Sequence, residues 1–435
     1  MLKNRTKLLF GFALLTVLLF TGCSRVQVTP DSGDEYNLFS DDLLAVMLNG
    51  KWGYIDTRGR ESIEFMYDGA GAFYDGVALV YLDGEYALIN KRNRTQTDWF
   101  EYLERDSENG LIWYVENDKL GLMNANGRKL TDAEFEDITI YSWGYSVGTS
   151  FSEGLARVTK DGERGFIDDR GRVQIDFGQL EYNIHRFSQG MSPFRDEESG
   201  LYGYIDTKGK VVIDAQFKSA NQFNQHEQAI VRTDKEGDDN YAVINTRGRF
   251  IIEDLDAIRI TEVGYRAYQE GEYFFINTRG RTHNKNTYES MRNASWWVDS
   301  LFIADDKIID QEGAVVFDDA TIIDDYFVDG DKYYFVEYKN GEATIYHGRR
   351  TYTIEADAIH QIKDGLVTVQ RGSNGGLVDL SGKEIIPFDY LALAITDDGY
   401  VIVFSSDELL GIYDTKGNRI AEAKYEDLEP TMNPY

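Results

Sequence analysis

The sequence predicts an all-β fold built from a short repeat, and three observations carry that expectation. A seven-residue phrase recurs along the chain, an aromatic residue keeps a constant distance from it, and the composition suits short strands. The 435 residues include 29 Tyr, 24 Phe and 6 Trp beside 41 Gly and only 5 Pro. Abundant aromatics favour strands, and abundant glycines favour the tight turns between them.

The phrase is a small residue, two apolar residues, Asp or Asn, two polar residues and Gly. It reads Gly53-Tyr54-Ile55-Asp56-Thr57-Arg58-Gly59 in its first copy. Further copies end at Gly127, Gly171, Gly209, Gly248, Gly280, Gly313, Gly382 and Gly417. A degenerate copy starts at Ala87 and has Asn93 in place of the glycine, and a worn one lies at Ala343 to Gly348. Spacing of ~34 residues over about eleven copies marks a repeat array. Eight residues after the glycine stand Tyr67, Phe135, Phe217, Tyr288, Tyr390 and Tyr425.

Each unit then resolves into strands in order. A turn residue (Asp42, Gly76, Gly154, Gly365) leads an alternating apolar run such as Leu155-Ala156-Arg157-Val158. A polar turn, the phrase itself and a third strand follow, with Asp/Asn capping the turn and Gly supplying positive φ. A short fourth strand is expected around the Tyr-Asp-x-Ala element, and the aromatic is expected to plug the space between units. One such antiparallel meander cannot bury its own apolar face, so units must stack. The expected architecture is β-propeller-like. Eleven units exceed the usual four to eight blades, so two rings or an open β-solenoid (superhelix) stand as alternatives.

Lys51-Trp52-Gly53-Tyr54-Ile55-Asp56, with the Phe-x-x-Gly-Leu-Ala-x-Val and Tyr-Asp-x-Ala elements, resembles the bacterial WG-repeat (WG β-repeat) family. Only Trp52 keeps the Trp at its position, where Leu120, Arg164 and Tyr202 stand in other units. The family's Pro after the third strand survives clearly at Pro387. The resemblance spans about residues 39–430 and implies no catalytic residues.

The N-terminus reads as an export address. Lys3, Arg5 and Lys7 precede an apolar run from Leu8 to Phe20, which is too short for a comfortable membrane-spanning helix. Leu19-Phe20-Thr21-Gly22-Cys23 resembles a lipobox, although Phe20 replaces the usual Leu. The expected organisation is a signal peptide at 1–22, a lipidated Cys23 with a flexible tether over 23–38, and the array over 39–430. The irregular stretch near 285–350 is where the array would divide if it formed two sub-domains. The resemblance implies, with Ser24, the outer membrane of a two-membrane bacterium or the outer face of the plasma membrane of a one-membrane bacterium.

The net charge of -30 argues against nucleic acid and bare anionic membrane as partners, since both are polyanions. Membrane association is expected only through the lipid. Cys23 is the sole cysteine, so no intramolecular disulfide or cysteine-based metal site exists. None of the five histidines has ligand spacing, and no Walker loop, G-x-G-x-x-G or G-x-S-x-G motif occurs. The phrase's Asp alternates with Asn, which a turn cap tolerates and a catalytic base does not. No cofactor and no metal site are expected, and the 234–240 acidic loop reads as solvated. Trp296-Trp297 is the candidate binding pair for a sugar or peptide. The expected function is non-catalytic binding or scaffolding of an envelope protein or glycan. An enzyme or enzyme accessory acting on envelope glycans or peptides is the alternative.

Overall fold

The computed structural model describes residues 36–432, except 142–143, 179–183, 185, 234–239, 262–263, 271, 284–300, 305–306, 310–314 and 430. Among the described residues there is no α-helix, and one 3-10 turn covers Ala320–Ile322. The described residues form eleven antiparallel sheets of three or four strands, which match the eleven copies of the phrase. The long step between the third and fourth copies holds an added hairpin, Ile138–Tyr141 paired with Gly144–Val147.

Unit 1 shows how the pattern folds. Leu43–Leu48 pairs with Lys51–Asp56 through the Asn49-Gly50 turn, whose residues both have positive φ. That is the hairpin turn whose twist matches the strands. Lys51–Asp56 pairs in turn with Glu61–Tyr67. The expected fourth strand is placed differently. Tyr67 ends one sheet, and Gly69–Ala70, directly after it, begins the next by pairing with Val77–Leu82. The Tyr-Asp-x-Ala element therefore opens the following sheet rather than closing its own. The same hand-over joins Val211–Phe217 to Ser219–Ala220, Phe250–Leu255 to Ala257–Thr261, and Arg419–Tyr425 to Asp427–Glu429. A chain that leaves one sheet edge and at once starts another needs no crossing loop, so neighbouring sheets are held close.

The last hand-over joins the two ends of the array. Asp427–Glu429 pairs antiparallel with Leu43–Leu48, placing Met47 opposite Asp427 and Ala45 opposite Glu429. Tyr36–Asn37 pairs with Thr431–Met432 beside it. Leu44, Val46 and Ile55 of unit 1 share a core with Ile402, Ile412 and Tyr425 of unit 11. Unit 1 thus packs on unit 11 as unit 2 packs on unit 1, where Tyr54 and Tyr67 meet Phe73, Val80 and Ile89. An open superhelix would leave these ends apart. The array is propeller-like in a loose sense, since its sheets follow one another and its ends meet. Residues 284–300, within the stretch where a division was expected, lie outside the described residues.

The Gly that opens the phrase has a steric reason. Trp52 faces Tyr67 while Tyr54 faces Ile63, so the outer strand carries two extra residues opposite Gly53. This bulge brings backbone against backbone, and a Cβ on Gly53 would lie 2.8 Å from the Ile63 carbonyl oxygen. Gly203 and Gly376 sit at the same kind of bulge, and Pro387 falls within the second, where a ladder donor is not needed. Where Ala242 replaces the glycine, the outer strand carries one extra residue there. Where Ala343 replaces it, the hairpin runs in unbroken register. Adding a methyl group makes the close approach impossible, and the bulge shrinks or disappears.

Gly203→Ala should destabilise the chain by roughly 1–3 kcal/mol, because its Cβ would strike the Ile213 carbonyl. Ala242→Gly should cost less than about 1 kcal/mol, the backbone-entropy term alone. Urea unfolding of the two variants checks the contrast, and equal losses would overturn the steric reading.

Candidate functional site

The turn residues singled out by the phrase act as a uniform structural device. The Asp56 carboxylate accepts hydrogen bonds from the Arg58 and Arg60 backbone N–H groups, each at 2.9 Å. Asn124 does the same for Asn126 and Arg128 at 3.1 and 2.9 Å, and Asn245 for Arg247 and Arg249 at 3.0 and 3.1 Å. Asp168, Asp206, Asp379 and Asp414 repeat the arrangement. Only one side-chain oxygen is required, which either residue type supplies. At Asp56, hydrogen bonds from Arg60 hold the carboxyl down at about 2.

Gly59, Gly127, Gly171, Gly209, Gly248, Gly280, Gly382 and Gly417 all have positive φ, and so does Asn93 at 57°. Gly59, Gly127, Gly171, Gly248, Gly280, Gly382 and Gly417 also face the preceding unit. A Cβ on Gly417 would meet the Ile385 carbonyl, one on Gly280 would meet Ile251, and one on Gly59 would meet the Ile420 carbonyl of unit 11. Of the aromatics eight residues on, Tyr67, Phe135, Phe217 and Tyr425 are buried between units. Tyr390 is half-buried, with its hydroxyl 2.7 Å from that of Tyr413. Cys23, Trp296, Trp297, Gly313, Tyr288 and the 234–239 loop lie outside the described residues.

Two sets of polar residues escaped the sequence reading. At the strand junctions, Asp68, Glu136, Asp256, Asp357 and Glu426 each accept from a backbone N–H in the turn between the second and third strands of the next sheet. Their signal is the Asp of the Tyr-Asp-x-Ala element, read as a cap for a turn ~15 residues on in most units. A further set spans units. Asp106 is buried, receives the Trp113 indole N–H at 3.1 Å and accepts from the Phe151 N–H of unit 4 at 2.9 Å. Asp398 accepts from the Phe39 N–H at 3.0 Å and so ties unit 11 to unit 1. The Ser152 and Ser188 hydroxyls donate to the Phe187 and Phe223 carbonyls, one unit further on.

Two carboxyls are pushed up by burial. They occupy one position on the first strand of two sheets: Glu429 pairs with Ala45, and Glu104 with Trp113. Glu104 accepts the Tyr102 hydroxyl at 3.0 Å, yet burial still raises its pKa. Burial, with Asp427 nearby, pushes Glu429 to about 7. Its charge also bears on Tyr54 and Tyr74. Among the described residues no group of three His, Cys, Asp or Glu side chains comes together to hold a metal ion.

The caps and the buried acid give separate tests. Asp206→Asn should alter stability by less than about 0.5 kcal/mol, whereas Asp206→Ala should cost about 1–2 kcal/mol through two lost hydrogen bonds. Chemical denaturation measures both, and an equal loss would refute the capping role. Glu429 keeps its proton in the fold between pH 4.5 and about 7, where the unfolded chain has released it. Its contribution is therefore present below 4.5, declines as pH rises to about 7 and is flat beyond. Glu429→Gln should raise the melting temperature relative to the parent at pH 8 more than at pH 5, and a pH-independent difference would contradict this.

The model of the WG containing repeat family matches residues 52–86 and 202–235. No curated protein matches the chain significantly. Solved structures that align with it include a eukaryotic initiation factor (9% identity, 90% of this chain and 98% of the other, TM-score 0.37). Hsv2p of Kluyveromyces lactis aligns at 10% identity over 63% of this chain and 94% of its own, with a TM-score of 0.26. Apo AztD of Citrobacter koseri aligns at 9% identity over 92% and 98%, with a TM-score of 0.22. Scores this low carry no argument about the chain. The two matched stretches have the same phrase, bulge and capped turn as other units, and they are WG repeats.

Proposed function

We propose that this is a non-catalytic, lipid-anchored protein of the cell envelope whose repeat surface binds or scaffolds a protein or glycan partner. The observation that carries the reading is the outer rim. Two residues after the phrase glycine, Val173, Phe250 and Val315 are exposed on the last strands of units 4, 6 and 8. Glu61, Glu384 and Arg419 hold that place in units 1, 10 and 11. Val212 of unit 5, one residue further along, is 48% exposed. Large apolar side chains collected on one part of a rim, with charged residues at the same position elsewhere, suit a contact surface. The carboxylates and amides of the phrase support the non-catalytic part, because they are engaged as turn caps. The anchor rests on Cys23 at the end of the apolar run.

Metabolic labelling with palmitate should mark the parent and leave Cys23→Ser unlabelled and released from the membrane fraction. Photo-crosslinking residues at positions 173 and 212 in intact cells should give a discrete adduct that position 61 does not give. Labelling that survives Cys23→Ser would remove the anchor. Adducts equal at all three positions, or at none, would remove the rim surface.

A further inference from the structure

The junction between units 5 and 6 differs at one residue from two others, those of units 11 and 1 and of units 3 and 4. At the junction of units 11 and 1, Phe65 stacks on Tyr425 with centroids 6.4 Å apart. Between units 3 and 4, Phe177 stacks on Phe135 at 6.4 Å. Phe65 stands two residues before Tyr67, which faces Trp52. In unit 6 Leu255 faces Tyr241 in the same way, and the residue two before it is Glu253. The place that holds a covering ring in units 1 and 4, and Ala215 or Ala423 in units 5 and 11, therefore holds a carboxylate in unit 6.

An open cavity of about 230 Å³ lies at this place. Phe217, Ala242 and Phe250 form apolar walls, and Gln216, Thr233, Glu253 and Asp254 are polar lining residues. Phe217 and Phe250 meet edge to face at 6.3 Å, and Phe250 is 41% exposed. Arg232, one residue along from Thr233, is turned to the opposite face over the Tyr241 ring.

We propose that this cavity receives a lysine or arginine side chain from a basic segment of a partner protein, a reading that rests on the binding role above. An aliphatic stem suits the Phe217, Ala242 and Phe250 walls. A cationic end suits the ring faces and the Glu253 carboxylate. The chain itself builds this combination twice. The Lys129 ammonium lies 4.6 Å from the Tyr114 ring centre and 2.9 Å from Glu116. The Arg371 guanidinium lies 4.0 Å over Phe388, with Glu355 at 3.9 Å. The net charge of -30 draws a basic partner toward the surface.

The test is saturation-transfer NMR of the full chain with four probes: the N-acetyl N-methylamides of lysine, arginine, norleucine and glutamate. Lysine and arginine should bind saturably, norleucine at least about tenfold more weakly, and glutamate not at all. Glu253→Gln should weaken the cationic probes by about tenfold. Glu253→Phe, which restores the covering ring of units 1 and 4, should abolish binding while thermal melting shows an intact fold. Equal binding of norleucine and lysine would overturn the proposal, and so would binding that survives Glu253→Phe. The parent's probe series decides even if a variant fails to fold. Should no probe saturate while the rim adduct persists, the cavity proposal falls and the binding role stands.

Discussion

The structure depends on the hand-over of the chain from the last strand of one sheet directly to the first strand of the next. In units 1, 5, 6, 10 and 11 the chain leaves one ladder and enters the next with a single residue between. A lone sheet leaves a face and an edge in water, and the hand-over addresses both needs. It supplies the first strand of the following sheet, and it brings that sheet close enough for Tyr67, Phe217 or Tyr425 to be buried between the two. The bulge opposite Gly53 and Gly203 is part of the same constraint, because the outer strand must bend before it can start the next ladder.

Closure follows from repeating that step. The strand Asp427–Glu429 meets Leu43–Leu48 as Gly69–Ala70 meets Val77–Leu82, so the first sheet is completed from the far end of the chain. Edge strands left unpaired invite association with other chains, and this pairing covers one of them. Interior cores, capped turns and unit-spanning bonds such as Asp398 to the Phe39 N–H then act across the seam as they do elsewhere.

Against that uniform background, departures mark where chemistry differs between units. Ala343 removes a bulge, and Glu253 leaves a cavity where Phe65 or Phe177 would place a ring. Glu104 and Glu429 put carboxyls at a first-strand position where burial raises them. Repetition makes such differences readable, because each has counterparts at the same register for comparison.

The sequence by itself determined the all-β class, the repeat period and the turns, down to the exchange of Asp for Asn and the left-handed Asn93. These are local properties: a cap, a positive φ and a hairpin register are settled within about seven neighbouring residues. The aromatic eight residues on was legible for the same reason, being a fixed distance along one strand. Only the tertiary structure decided that the Tyr-Asp-x-Ala strand belongs to the next sheet, that the ends meet, and that Glu429, Glu104 and the cavity over Phe217 have the surroundings they do. Closure depends on the rotation accumulated over many units, and burial depends on neighbours one unit away or, at the seam, nearly 400 residues away. No single repeat encodes either.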